Sequence, residues 1–130
     1  MKKNVHKLIE IFVTLYRLTV VIAWETDLRE VLKFCQKRCS LTEKEIQEIA
    51  EYGEEANGIT VNLGEYNTDI LIWLKKRPKK ASEYGNLYHE LHHATFHIAK
   101  SHNLNNEMEA QAYLYEYLAT QANQYFWKKK

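Results

Sequence analysis

Hydrophobic and polar positions change period several times along this chain, and each change marks an element. From Lys7 to Trp24, Val, Ile, Thr and Tyr dominate, the composition of half-buried pleated strands. The pattern predicts two strands, about Lys7–Leu15 and Leu18–Trp24. The spacing then turns helical: Leu28, Val31, Leu32 and Cys35 form one stripe, with Thr26 as candidate N-cap. Ser40-Leu-Thr-Glu43 has the form of a capping box, opening a short helix through about Tyr52. Gly53 and Gly58 frame a turn. Ile59, Val61 and Leu63 alternate with Thr60 and Asn62 as a strand, and Gly64-Glu-Tyr-Asn67 reads as a hairpin into the apolar run Asp69–Lys75.

Arg77-Pro78-Lys79-Lys80 is a break carrying the only proline. From Ser82 onward Leu87, Leu91, Ala94 and Ile98 are spaced for a buried helical stripe. Asn103-Leu-Asn-Asn106 interrupts it, and a second helix is predicted from about Glu107 to Phe126. Two helices with a short link pack antiparallel. A chain of 130 residues makes one domain, spanning 1–130. The expected fold is α+β: about four mostly antiparallel strands backed by helices.

Charge and cysteines narrow the setting. A net charge of +1 gives no push toward nucleic acid. The cations at Lys75-Lys76-Arg77-Pro-Lys79-Lys80 and Lys128–Lys130 read as solvated loop and tail. Glu10 and Arg17 interrupt the apolar N-terminal stretch, which falls short of the roughly 18–20 residues a membrane span needs. It also lacks a small-residue cleavage site. Cys35 and Cys39 stand at i and i+4 of a predicted helix, a placement that suits reduced thiols rather than a disulfide. No membrane partner and a cytoplasmic location are expected.

The chemistry lies in His89-Glu-Leu-His-His93, a complete H-E-x-x-H inside the predicted helix that follows a strand. At i and i+4, His89 and His93 share a face and can both reach one Zn²⁺ at about 2.0–2.1 Å. Glu90 lies about 100° round the helix, placed to approach a water rather than the metal. Zinc in a catalytic site usually takes three protein ligands. Glu109 is the favoured third ligand and Glu107 the alternative, pointing about 200° away. Both acids also suit a helix start, since Asn106 and Glu109 are spaced as a capping box. His92, His97 and His102 read as surface residues or neighbours of the ligands. His97 is eight residues, about 12 Å of rise, from His89; His102 reaches the site only if its helix ends early.

The segment His89-Glu-Leu-His-His93, followed by Glu109-Ala-Gln-Ala-Tyr-Leu-Tyr-Glu-Tyr-Leu118, resembles the gluzincins, zinc metallopeptidases with a downstream glutamate ligand. It is similar in particular to the small metallopeptidases encoded by phages and prophages, over roughly residues 68 to 120. The resemblance implies a small zincin-like domain with His89, His93 and Glu109 as zinc ligands, Glu90 as general base and a peptide or protein as substrate. The glycine and third histidine of the metzincins are absent, since Phe96 and Ala99 stand there. Tyr84, Tyr88, His92 and Tyr113 are candidates to stabilise an oxyanion, and residues 68–75 are the expected edge strand that would hold an extended peptide. Two other readings stay open: a catalytically silent zincin-fold domain that uses zinc structurally, and a metal-free interaction protein presenting the tyrosines of its last two helices.

Overall fold

Strands that read as unbroken apolar runs are strands covered on both faces, and the central sheet is built that way. The computed structural model describes residues 7–38, 40–64, 69–104 and 106–128. Its strands β1 (Leu8–Val13), β2 (Leu18–Trp24), β3 (Gly58–Asn62) and β4 (Ile70–Leu74) form one sheet in the order β1-β2-β4-β3. β1 and β2 pair antiparallel, as do β3 and β4, while β2 and β4 run parallel. A parallel pair requires a long crossover; here α1 (Leu28–Phe34), α2 (Glu43–Gly53) and β3 supply it.

Alternate side chains leave a strand on opposite faces. Val20, Ile22, Trp24, Ile70, Ile72 and Leu74 meet Leu87, Leu91, Ala94 and Ile98 of α3 (Ala81–Ser101) and Leu114, Leu118, Ala122 and Phe126 of α4 (Met108–Lys128). Val21, Ala23, Leu71 and Trp73 face the other way, under Leu28, Val31 and Leu32 of α1 and Ile46 of α2. The expectation of an α+β domain with four mostly antiparallel strands therefore holds. Its layering, with helices on both faces, is what makes β2 apolar from Val20 onward and β4 apolar throughout.

Several boundaries move for local reasons. The first strand ends at Val13, because Thr14–Tyr16 form a 3₁₀ turn and Arg17 adopts a left-handed conformation (φ 54°). Asp27, not Thr26, caps α1 by accepting the Glu30 N–H at 3.3 Å, while the Thr26 hydroxyl donates to the Trp24 carbonyl. The capping box lies two residues beyond Ser40–Glu43: Thr42 accepts from the Glu45 N–H at 3.1 Å, and Glu45 accepts from the Thr42 N–H at 2.9 Å. Most of the expected turn at 64–67 lies outside the described residues, as does Cys39. Cys35 is buried beneath the α1–α2 layer.

The strand expected at an edge, residues 68–75, is β4, which pairs with β2 on one side and β3 on the other. An interior strand has no free ladder to offer. The edge strand beside α3 is β3. Its odd-numbered neighbours face β4, since Asn57 accepts from the Lys75 N–H at 2.9 Å and Leu63 donates to the Asp69 carbonyl at 3.0 Å. By alternation, the main chain of Gly58, Thr60 and Asn62 is directed away from the sheet.

α3 and α4 form the antiparallel hairpin that their spacing predicts. The chain turns through Asn103, which has φ 58°, and the Leu104 N–H returns to the Ala99 carbonyl at 2.7 Å. Across the seam Tyr88 donates to Asn123 at 2.8 Å, and the His92 ring lies 6.2 Å from that of Tyr115. Among the described residues no helix is long and apolar enough to cross a membrane.

Candidate metal centre

The buried stripe of α3 fixes where the motif points. Because Leu87, Leu91, Ala94 and Ile98 turn to the sheet, His89 and His93 emerge on the opposite, exposed side of the same helix. Their Nε2 atoms converge to 3.2 Å, with the rings 4.7 Å apart and nearly perpendicular. Two nitrogens bound tetrahedrally at 2.0–2.1 Å to one zinc ion stand about 3.3–3.4 Å apart. The observed separation is close to that of two corners of a zinc site. The same separation suits a hydrogen bond between one protonated and one unprotonated ring nitrogen.

Glu90 is turned toward the sheet edge and is 7% exposed. The Thr60 hydroxyl lies 2.7 Å from its Oε1 and 3.1 Å from its main-chain oxygen, joining β3 to α3 at the motif. Gly58 makes room for this. A Cβ built there would stand 3.2 Å from Glu90 Cγ, 3.2 Å from Leu74 Cδ2 and 3.3 Å from the Trp73 oxygen, closer than such contacts normally run. Thr60 and Gly58 escaped the sequence reading, in which they were only polar and turn positions of a strand. Their one signal is a small residue and a hydroxyl on the alternation that faces the motif helix.

Glu109 does not join the histidines in this arrangement. Among the described residues no group of three or more His, Cys, Asp or Glu side chains is gathered as for a metal. The seam contacts of Tyr88 with Asn123 and His92 with Tyr115 set the level of the helices, so the α4 residues opposite His93 are those near Tyr115 and Glu116. Glu109, exposed in the first turn of α4, lies about 10 Å further along the axis than Glu116. Glu107 precedes that helix and is exposed.

The remaining histidines are separately accounted for. His102 stacks on Tyr16 with centroids 4.5 Å apart, and its Nδ1 lies 2.9 Å from the Ile98 carbonyl, which holds it at the far end of α3. His97 sits one turn beyond His93, and burial, with added repulsion from His93 and Lys100, holds it below the ordinary imidazole range. His92 packs toward Tyr115.

Of the four candidate oxyanion donors, three point elsewhere. Tyr88 is committed to Asn123 across the seam. Tyr84 packs with Tyr88 and Trp127, its hydroxyl buried and its pKa raised chiefly by burial. Tyr113 lines a separate apolar hollow of about 420 Å³ with Leu15 and Tyr16. His92 alone stays on the outer face of α3 near the motif.

A smaller cavity of about 280 Å³ opens between the start of β3 and the first turns of α3, lined by Asn57, Lys75, Lys76, Lys80, Ser82, Glu83 and Asn86. Arg77, in the same stretch of sequence, turns the other way. Its guanidinium stands 5.2–5.7 Å from the ring centroids of Phe126, Tyr125 and Trp24 and donates to the Phe126 carbonyl at 3.3 Å. No family model, curated protein or solved structure matches this chain.

Proposed function

We propose that this chain is a zinc-dependent peptide hydrolase in which His89 and His93 hold the metal and Glu90 is the general base. The observation that carries this reading is the 3.2 Å convergence of the two Nε2 atoms on an exposed helix face, with a carboxylate one residue away beside a sheet edge. Bound zinc supplies Lewis acidity, lowering the pKa of a water to around 7 and polarising a carbonyl. The donor set of imidazoles with a carboxylate suits zinc. The third ligand comes from α4: the resemblance nominates Glu109, and the helix register favours Glu116.

The chain's own groups do the rest. An extended peptide adds to β3, whose outward main chain at Gly58 and Thr60 offers it a ladder. This lays the peptide alongside the outer face of α3. Glu90 takes a proton from the attacking water and passes it to the leaving amine, a role worth about 10²–10⁴-fold. Thr60, by donating to one carboxylate oxygen, orients the other.

A second reading has its own support. Glu90 is nearly covered and already engaged by Thr60, and among the described residues no third metal-binding side chain is gathered with the two histidines. Those features also suit a zincin-like domain in which zinc stabilises a binding surface without hydrolysis. Metal analysis and peptide cleavage by the parent, His93→Ala and Glu90→Gln separate the two. The hydrolase reading expects near-stoichiometric zinc in the parent, its loss in His93→Ala, and retained zinc without cleavage in Glu90→Gln. Zinc without cleavage in the parent supports the silent domain; no zinc in the parent overturns both.

A further inference from the structure

The cavity beside the start of β3 is cationic. Lys75, Lys76 and Lys80 line it, with Asn57 and Asn86 adding amides. Among the described residues the acid on its wall is Glu83, which is engaged already, because its carboxylate accepts the N–H groups of Lys79 and Lys80 at 3.1 and 3.2 Å. Three lysines against one occupied carboxylate give the lining residues a formal surplus of two positive charges. Its position is fixed by the β3–β4 ladder, through the 2.9 Å bond between Lys75 and Asn57.

This cavity lies in line with the motif. Asn57 precedes β3 and Asn86 sits one turn before Glu90 on α3, so the cavity and the Thr60–Glu90 contact are successive stations along the same strand and helix. From Asn86 to Glu90 is about 6 Å of helix rise, about two residues of an extended peptide. Antiparallel addition to β3, the more stable pairing, sends the C-terminal half of the peptide toward Asn57.

We propose that this cavity is a carboxylate subsite, selecting peptides with an acidic side chain or a free C-terminus within about three residues on the C-terminal side of the cleaved bond. The peptide's course along β3 rests on the hydrolase reading; the carboxylate-binding cavity does not. Exposed charges interact weakly and are screened by salt, so each lysine contributes an affinity factor of about two to five.

The test uses the full chain and three short alanine-based peptides: one with an internal Asp and an amidated end, one with a free C-terminal carboxylate, and one blocked and neutral. Binding is followed by amide chemical shifts in the parent and in Lys76→Ala/Lys80→Ala, and cleavage by kcat/KM on the same peptides. The expected result is binding of one or both carboxylate peptides, shifts at Asn57, Ser82 and Asn86, and a fall of about five- to twentyfold in the double variant. Which of the two binds identifies the carboxylate's source. Equal binding of the neutral peptide, shifts located elsewhere, no binding at all, or an unaffected double variant overturns the subsite. A cleavage preference for acid on the N-terminal side overturns the stated placement. Carboxylate binding without zinc or cleavage sinks the hydrolase reading and leaves the subsite standing. Cleavage indifferent to carboxylates does the reverse.

Discussion

Thr60 and Glu90 are thirty residues apart in sequence, yet the hydroxyl of one lies 2.7 Å from the carboxylate of the other. Through that contact the sheet's edge strand holds the acid of the motif helix, and Gly58 leaves it the space. Position and chemistry of Glu90 thus depend on β3 as much as on α3.

Removing the Thr60 hydroxyl should therefore be felt. Thr60→Val keeps the branched shape and leaves a nearly buried carboxylate without its donor. We expect a loss of about 1.5–3 kcal/mol in urea unfolding, the range for a hydrogen bond to a charged group. Thr60→Ser, retaining the hydroxyl, should lose less than about 1 kcal/mol. A valine variant as stable as the parent would show that the bond contributes nothing.

Arg77 makes a different junction. Three aromatic rings from β2 and α4 surround its guanidinium, and it donates to the Phe126 carbonyl. A lysine keeps the charge but neither the planar stacking surface nor the forked donors. Arg77→Lys should lower stability by about 1–2 kcal/mol, whereas Lys76→Ala, in the same run, should change it by less than about 0.5 kcal/mol. Equal effects in thermal or urea unfolding would contradict the packing role given to Arg77.

These contrasts show how far the sequence was legible. The strands, the two long helices and the alignment of His89 with His93 follow from periodicity, because a helix carries its face in its spacing. Thr60 and Arg77 did not, since their partners are remote in sequence and their own neighbours read as polar strand and basic loop. The edge strand was misplaced because apolar content marks burial, and β4, being interior, is the most apolar. A third-ligand position depends on how far one helix has slid along another, a quantity that spacing within either helix does not contain.

Acid stability should carry the mark of Glu25. The Lys7 ammonium at 2.7 Å, foremost, and the Arg77 N–H at 3.0 Å hold its carboxyl below the ordinary range of a glutamate. A carboxyl lowered on folding stabilises the protein above its unfolded pKa, and that contribution is lost as pH falls through the folded value. The pair is solvent-exposed, so Glu25→Gln should cost only about 0–1 kcal/mol at pH 7. Parent and variant should converge in stability below the lowered pKa of Glu25. A gap that persists or widens with acidification would show that charge is not its source.

The acid on α4 is the decisive structural question for the metal site. By the contacts of Tyr88 with Asn123 and His92 with Tyr115, Glu116 stands level with the motif along the helix axis, whereas Glu109 stands about 10 Å further along. If this register persists when zinc binds, Glu116→Ala weakens zinc affinity at least about tenfold, a loss at the low end of what disturbing a metal site causes. Glu109→Ala then leaves it within about twofold. Competition titration against a chromogenic chelator measures both, with unfolding curves to confirm that each variant is folded. The opposite ranking would establish the ligand that the sequence favours. It would also require α4 to travel about two turns along α3 on loading, breaking the Tyr88–Asn123 bond. The Tyr88→Phe variant would then bind zinc no more weakly than the parent, because the bond it lacks would already be absent in the loaded form.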